Sequence, residues 1–125
     1  MRDRLRFTFG LAMISQMAAL TPLPARAEVS ASQILKMYDA GNSSERGLIE
    51  ANFGGLENGF GWANTYLQSQ RKQTPLYCPP DKLALKSEQI IDILRRGVRE
   101  DAKLGNAPFG LAMLIVLQRV FPCRR

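Results

Sequence analysis

The sequence predicts an all-α fold, a compact bundle of about four helices held by one disulfide. Three observations lead there. Apolar residues recur at steps of three and four through most of the chain, which is the period of a helix face and not of a strand. Capping residues and helix breakers punctuate that pattern where helices would begin and end. The chain has two cysteines, Cys78 and Cys123, downstream of a stretch with the character of an export signal, and exported chains keep such pairs bonded.

The opening stretch, residues 1–27, is expected to be a cleaved signal peptide. Arg2, Arg4 and Arg6 supply its positive region, and Phe7 to Leu20 its apolar run. Pro22 and Pro24 break any helix, and Ala25-Arg26-Ala27 offers the small-x-small site, so the cut is expected between Ala27 and Glu28. A membrane anchor would need about 20 consecutive apolar residues, and this run is shorter, so no stable membrane insertion is expected after removal. The residue just after the cut is Glu28 and not a cysteine, which argues against a lipoprotein. Residues 28–125 then form one domain, periplasmic or secreted.

Ser30 and Gln33 have the spacing of a capping box and open the first helix. Its apolar face includes Ile34, Leu35 and Tyr38, and Gly41 ends it. A second helix starts around Asn42 to Ser44 and runs to about Gln70, with Ile49, Phe53, Leu56, Phe60, Ala63 and Leu67 as its stripe. Pro75, Pro79 and Pro80 keep the segment Thr74 to Leu85 from being helical. Ser87 is expected to cap a third helix that buries Ile90, Ile91, Leu94 and Val98, with Gly105 as its stop. Asn106 is expected to cap a fourth, Phe109 to Phe121, with Pro108 in its first turn. That last helix is apolar nearly all round, so it is expected to be the central and most buried element, and Pro122 ends it.

Pairing Cys78 with Cys123 ties the end of the last helix to the loop before the third. In the chain-entropy picture, closing a loop of this length stabilises by about 4 kcal/mol. A dithiol redox site is the weaker reading, because the Cys-x-x-Cys spacing is missing.

The second helix carries a ridge of small residues, Ala51, Gly55, Gly59 and Ala63, one every fourth position. Each interior glycine costs about 1 kcal/mol relative to alanine, so the ridge calls for compensation by close packing. Three readings stand: contact with the fourth helix, which is favoured; a subunit or partner interface, including a homodimer; or a break near Gly59 to Gly61. Trp62 and Tyr66 lie one turn apart and are expected to pack in the core, with an exposed aromatic contact as the alternative.

Charge and chemistry exclude much. Half of the chain's net charge of +6 belongs to residues 1–27, because residues 28–125 hold 13 Lys and Arg against 10 Asp and Glu. The basic residues Arg95, Arg96, Arg99 and Lys103 alternate with Asp92, Glu100 and Asp101, so no phosphate-tracking stripe forms and no nucleic-acid partner is expected. The chain has no histidine, which removes Ser-His and Cys-His pairs and most zinc sites. Glu50 and Glu57 could share a helix face as a glycosidase-like pair, but carboxylates at that spacing are common on surfaces. No phosphate-binding glycine loop follows a strand. No catalytic, metal or cofactor residues are therefore assigned, and the chain is not expected to be an enzyme.

Three segments carry a resemblance: Gly55-Leu56-Glu57-Asn58-Gly59-Phe60-Gly61-Trp62-Ala63-Asn64; Leu76-Tyr77-Cys78-Pro79-Pro80 with Leu85 and Glu88-Gln89-Ile90; and Pro108-Phe109-Gly110-Leu111-Ala112 leading to Phe121-Pro122-Cys123. In this order they resemble the Rap/Tai family of resistance-associated and type VI amidase immunity proteins. The resemblance covers most of residues 28–125. It implies a small helical periplasmic protein that binds and blocks a toxin delivered by type VI secretion. The further cysteine pair that many members have around the first two helices is missing here. The resemblance implies a protein partner, the cognate toxin or another exported protein. A small periplasmic stress or chaperone-like protein is the alternative, and the loop Gln68 to Pro80 is the expected inserting surface.

Overall fold

A computed structural model describes residues 28–81 and 83–124 of the chain. Residues 1–27, the expected signal peptide with Ala27 at its end, lie outside the described residues. Five helices and no strand occur among the described residues. They are α1 (Ala31–Ala40), α2 (Ser43–Ser69), α3 (Ser87–Glu100), α4 (Ala102–Asn106) and α5 (Phe109–Val120).

Two capping boxes set the first two helices. Ser30 Oγ accepts from the Gln33 amide while the Gln33 side chain accepts from the Ser30 amide. Asn42 and Glu45 repeat the arrangement at the start of α2, and each such box satisfies amides that the first turn leaves unpaired. Gly41 ends α1 as expected, but in extended backbone and not the left-handed conformation. A side chain there would press on the Met37 carbonyl oxygen, 2.8 Å from a built Cβ. At the far end of α2, Lys72 adopts the left-handed conformation, and the Gln73 amide donates to the Leu67 carbonyl. The last carbonyls of a helix are commonly satisfied in this way.

Beyond that point the chain departs from the sequence expectations in several places. Ser87 is the first residue of α3 and not its cap: its hydroxyl donates to the Glu50 carbonyl of α2, and Gln89 accepts from the Lys86 amide. The third helix stops at Glu100, before Gly105, because Asp101 takes extended backbone and its carboxylate accepts from the Lys103 amide to start α4. Asn106 is the last residue of α4 and does not cap α5. Pro108 leads into α5, where the Gly110 amide is met by the Glu28 carboxylate at 3.2 Å. The chain around Glu28 is knit to the same place, since Phe109 donates to the Val29 carbonyl and Ala31 to that of Ala107.

The core is built from α1, α3 and α5, with Phe53 and Ile49 entering from α2. Burial is shared between α3 and α5: Ile90, Ile91, Ile93 and Leu94 are as enclosed as Ala112, Met113, Val116 and Leu117. The last helix is thus not more central than its neighbour, and its Leu111 and Val120 face outward. Phe53 and Phe109 meet with ring centroids 5.5 Å apart. The close approach of helices happens at Gly97, where a Cβ would run into the Val116 side chain, and at Gly105, where it would run into Ser32.

The disulfide joins Cys78 and Cys123, with Cα atoms 4.9 Å apart. Its loop is fixed by side chains as well. The Asn64 amide group accepts from Leu76 and donates to the Tyr77 carbonyl, and Gln118 donates to the Leu76 carbonyl. Tyr77 is buried edge-on against Phe60.

Candidate functional site

An apolar groove of about 550 Å³ opens between α1, α2 and the start of α5. Its lining includes Ile34, Ile49 and Phe109, with Val29, Met37 and Leu48 exposed to solvent. Met37 is 53 % exposed and Leu48 66 %. These positions follow from the helical period. Ile34 and Ile49 belong to the buried stripes of α1 and α2, while Met37 and Leu48 sit one step round from those stripes. A shallower depression continues from it past Asn52, Gly55 and Leu56. Phe109 borders both, held by its contact with Phe53 and by the hydrogen bond to Val29.

The long helix α2 presents a second surface. Trp62 is 77 % exposed and Tyr66 55 %, so these two aromatics do not pack in the core as the sequence suggested. The ridge lies on the same outward side: Ala51, Gly55 and Gly59 are exposed, Ala63 is half-buried, and nothing approaches Gly55 or Gly59 within 4 Å of a built Cβ. Contact between the ridge and the last helix is not formed, and α2 does not break at Gly59 to Gly61. The reason is rotational. Ile49, Phe53, Leu56 and Phe60 take α2's inward face, which leaves the four-residue ridge on the outside.

The carboxylates singled out in the sequence do not converge on a site. Positions 50 and 57 are about 10 Å apart along the helix axis. Glu50 accepts a hydrogen bond from the Tyr38 hydroxyl at 2.7 Å. That bond, first, and then burial hold the Tyr38 hydroxyl above its ordinary pKa. Burial and then the charge of Glu57 raise Tyr77 likewise. Asp101 is shifted down, chiefly by its hydrogen bond from Arg119 at 2.9 Å. Arg95 bridges Asp39 and Asp92, tying α3 to α1. Among the described residues no group of three or more acidic or cysteine side chains gathers as a metal site. No helix among them is long and apolar enough to cross a membrane.

No family model, curated protein or solved structure matches the chain.

The loop expected to insert into a partner divides in two. Gln68 to Thr74 is exposed, whereas Pro75 to Pro79 is largely packed down by Asn64, Gln118 and the disulfide. A pocket of about 360 Å³ lies beside it, lined by Gly61, Asn64, Gln68, Tyr77 and Pro80 among others. The apolar groove was missed in the sequence. The one available signal was Met37 and Leu48, apolar residues just off the stripes of two helices joined by a short turn.

Proposed function

We propose that this protein works by binding, as a periplasmic immunity-type protein that blocks an exported effector, with a peptidoglycan amidase delivered by type VI secretion as the effector class. The observation that carries the binding reading is the apolar groove rimmed by Val29, Met37 and Leu48. Contiguous exposed apolar surface on a small protein marks a partner site. The body that bears it is cross-linked and helical, so it loses little conformational freedom on association. The effector class and compartment come from the Rap/Tai resemblance, and the disulfide suits an oxidising compartment. Occlusion is proposed over catalysis because the chain lacks histidine and Glu50 is engaged by Tyr38.

A chaperone-like role is the second reading, favoured by the apolar residues exposed away from the groove, Trp62, Tyr66 and Leu111. Co-expression separates the two. Periplasmic delivery of an amidase encoded beside this gene should lyse cells unless the full-length gene is present. Met37→Asp places a charge on the groove rim at an exposed position, and it should abolish protection while leaving the melting curve unchanged. Protection by Met37→Asp equal to that of the unaltered protein would remove the groove from the reading. A protein that gives no protection but keeps many unfolded proteins soluble would put the chaperone role in its place.

A further inference from the structure

We propose that the cleft between the second half of α2 and the disulfide loop is a saccharide site, taking an oligosaccharide of N-acetylated sugar rings. It is made of two depressions. The cavity of about 360 Å³ beside the loop falls within the size range of small-molecule pockets. A neighbouring hollow of about 300 Å³ is lined by Glu57, Trp62 and Thr65. Gly61 borders both, and nothing stands within 4 Å of a built Cβ there, so the glycine leaves a saddle open between them. Glu57, Gly61, Asn64 and Gln68 follow at steps of four, three and four, one stripe of α2 about 16 Å long.

The lining holds hydrogen-bonding capacity that the fold does not use. Tyr77 lines the cavity and is only 4 % exposed, yet no described residue bonds its hydroxyl. A tyrosine hydroxyl at such depth ordinarily finds a partner within the protein. This one keeps an opening, because no fully buried polar side-chain atom among the described residues lacks a partner. Asn64 is fixed by its bonds to the Leu76 amide and the Tyr77 carbonyl, which leave its carboxamide one N–H and one lone pair. Gln68 brings a second carboxamide, with no described partner. Burial and then the charge of Glu57 raise the Tyr77 pKa, so the hydroxyl lies near enough to the second hollow for one ligand to span both.

The chemistry of these groups selects the ligand. The charged residues among the described lining are Glu57 and Asp81, both acidic, so the cleft offers no cation to a phosphate or a polyanion. Its other polar side chains, Asn64, Gln68, Tyr77 and Thr65, are uncharged groups that both donate and accept, which is what sugar hydroxyls require. Trp62, 77 % exposed, supplies a flat apolar surface for the C–H face of a ring, with its N–H at the edge. Pro79, Pro80 and Leu83 give the same cavity an apolar side for an acetyl methyl, beside carboxamides that can pair with the acetamido N–H and carbonyl. The cross-linked, proline-bearing loop is already held in place, so little order is lost on binding. This inference does not rest on the effector reading, since no residue of the cleft lines the apolar groove.

The test uses the chain's single tryptophan, Trp62, whose fluorescence reports on the cleft directly. Protein expressed from the full-length gene is titrated with chitotetraose, a chain of N-acetylated rings, and with cellotetraose, which has the same linkage and no acetamido groups. Chitotetraose should shift the emission to shorter wavelength with a Kd of about 0.1–1 mM, and cellotetraose should bind at least fivefold more weakly. Gly61→Leu, which fills the saddle, and Tyr77→Phe, which removes the hydroxyl alone, should each weaken binding at least fivefold. Their melting curves should be unchanged or, for Gly61→Leu, higher. Calorimetry should show the same loss for Trp62→Ala, whereas Met37→Asp should bind as the unaltered protein does. No response to chitotetraose up to about 10 mM, equal binding of the two sugars, or binding indifferent to both Gly61→Leu and Tyr77→Phe would each overturn the proposal. A response to tetralysine without one to chitotetraose would overturn it as well, giving the acidic cleft to a cation.

Discussion

The same substitution, glycine to alanine, should move stability in opposite directions at Gly97 and Gly59. Both glycines are in helices, where replacing glycine by alanine gains about 1 kcal/mol from backbone entropy. At Gly59 nothing stands within 4 Å of the added Cβ, so the gain is uncompensated. At Gly97 the added methyl collides with Val116, which is 2 % exposed and bounded by the core of α3 and α5. Val116 is β-branched and has few rotamers to move to. Overpacking of this kind costs about 1–3 kcal/mol, so the net effect at Gly97 is a loss of up to about 2 kcal/mol. For a domain of this size each kcal/mol shifts the midpoint by about 4–8 °C. Melts of dilute protein followed by circular dichroism should therefore rise for Gly59→Ala and fall for Gly97→Ala. Two shifts of the same sign would refute the assignment of Gly97, and not the α2 ridge, as the site of close helix packing.

Three further outcomes follow from the packing. Cys123→Ser should lower stability by about 4 kcal/mol, the chain-entropy value for the 45-residue separation of the bonded pair, measured by urea denaturation. Asn64→Ala leaves the Leu76 amide and Tyr77 carbonyl without their partner in a part-buried place, and should cost about 1–3 kcal/mol. Hydrogen exchange at Leu76 would accelerate in the same variant. The Asp101 carboxyl is held below its ordinary value, so its contribution to stability is present at neutral pH and is lost as pH falls below 3.8 through the depressed value. Melts of the protein and of Asp101→Asn should accordingly differ at neutral pH and converge in acid.

The first half of the fold is legible in the sequence because its signals are local. The Ser30 and Asn42 capping boxes act within one turn, so they place the starts of α1 and α2 without knowledge of anything distant. The signals that misled are those settled by tertiary partners. Ser87 looks like a cap until its hydroxyl is found on Glu50 of another helix. Asp101 divides the third helix because Arg119, eighteen residues on, and the Lys103 amide both need its carboxylate. The glycine ridge was conspicuous by its period, yet period alone does not say which neighbour a ridge meets. Gly97 carried the better clue, since it falls three residues after Leu94 and seven after Ile90, inside the buried stripe of α3. The groove was least legible, because it depends on how α1 and α2 diverge from their turn at Gly41 and on Phe109 arriving from the far end of the chain.

The most direct test of the binding account is a titration. A purified type VI peptidoglycan amidase is incubated with peptidoglycan while this protein is added in steps, and the release of soluble fragments is followed. The account predicts that activity falls in proportion and ends at one equivalent, with Met37→Asp shifting the curve to a large excess. Amidase activity unaffected by any excess of the protein would contradict it.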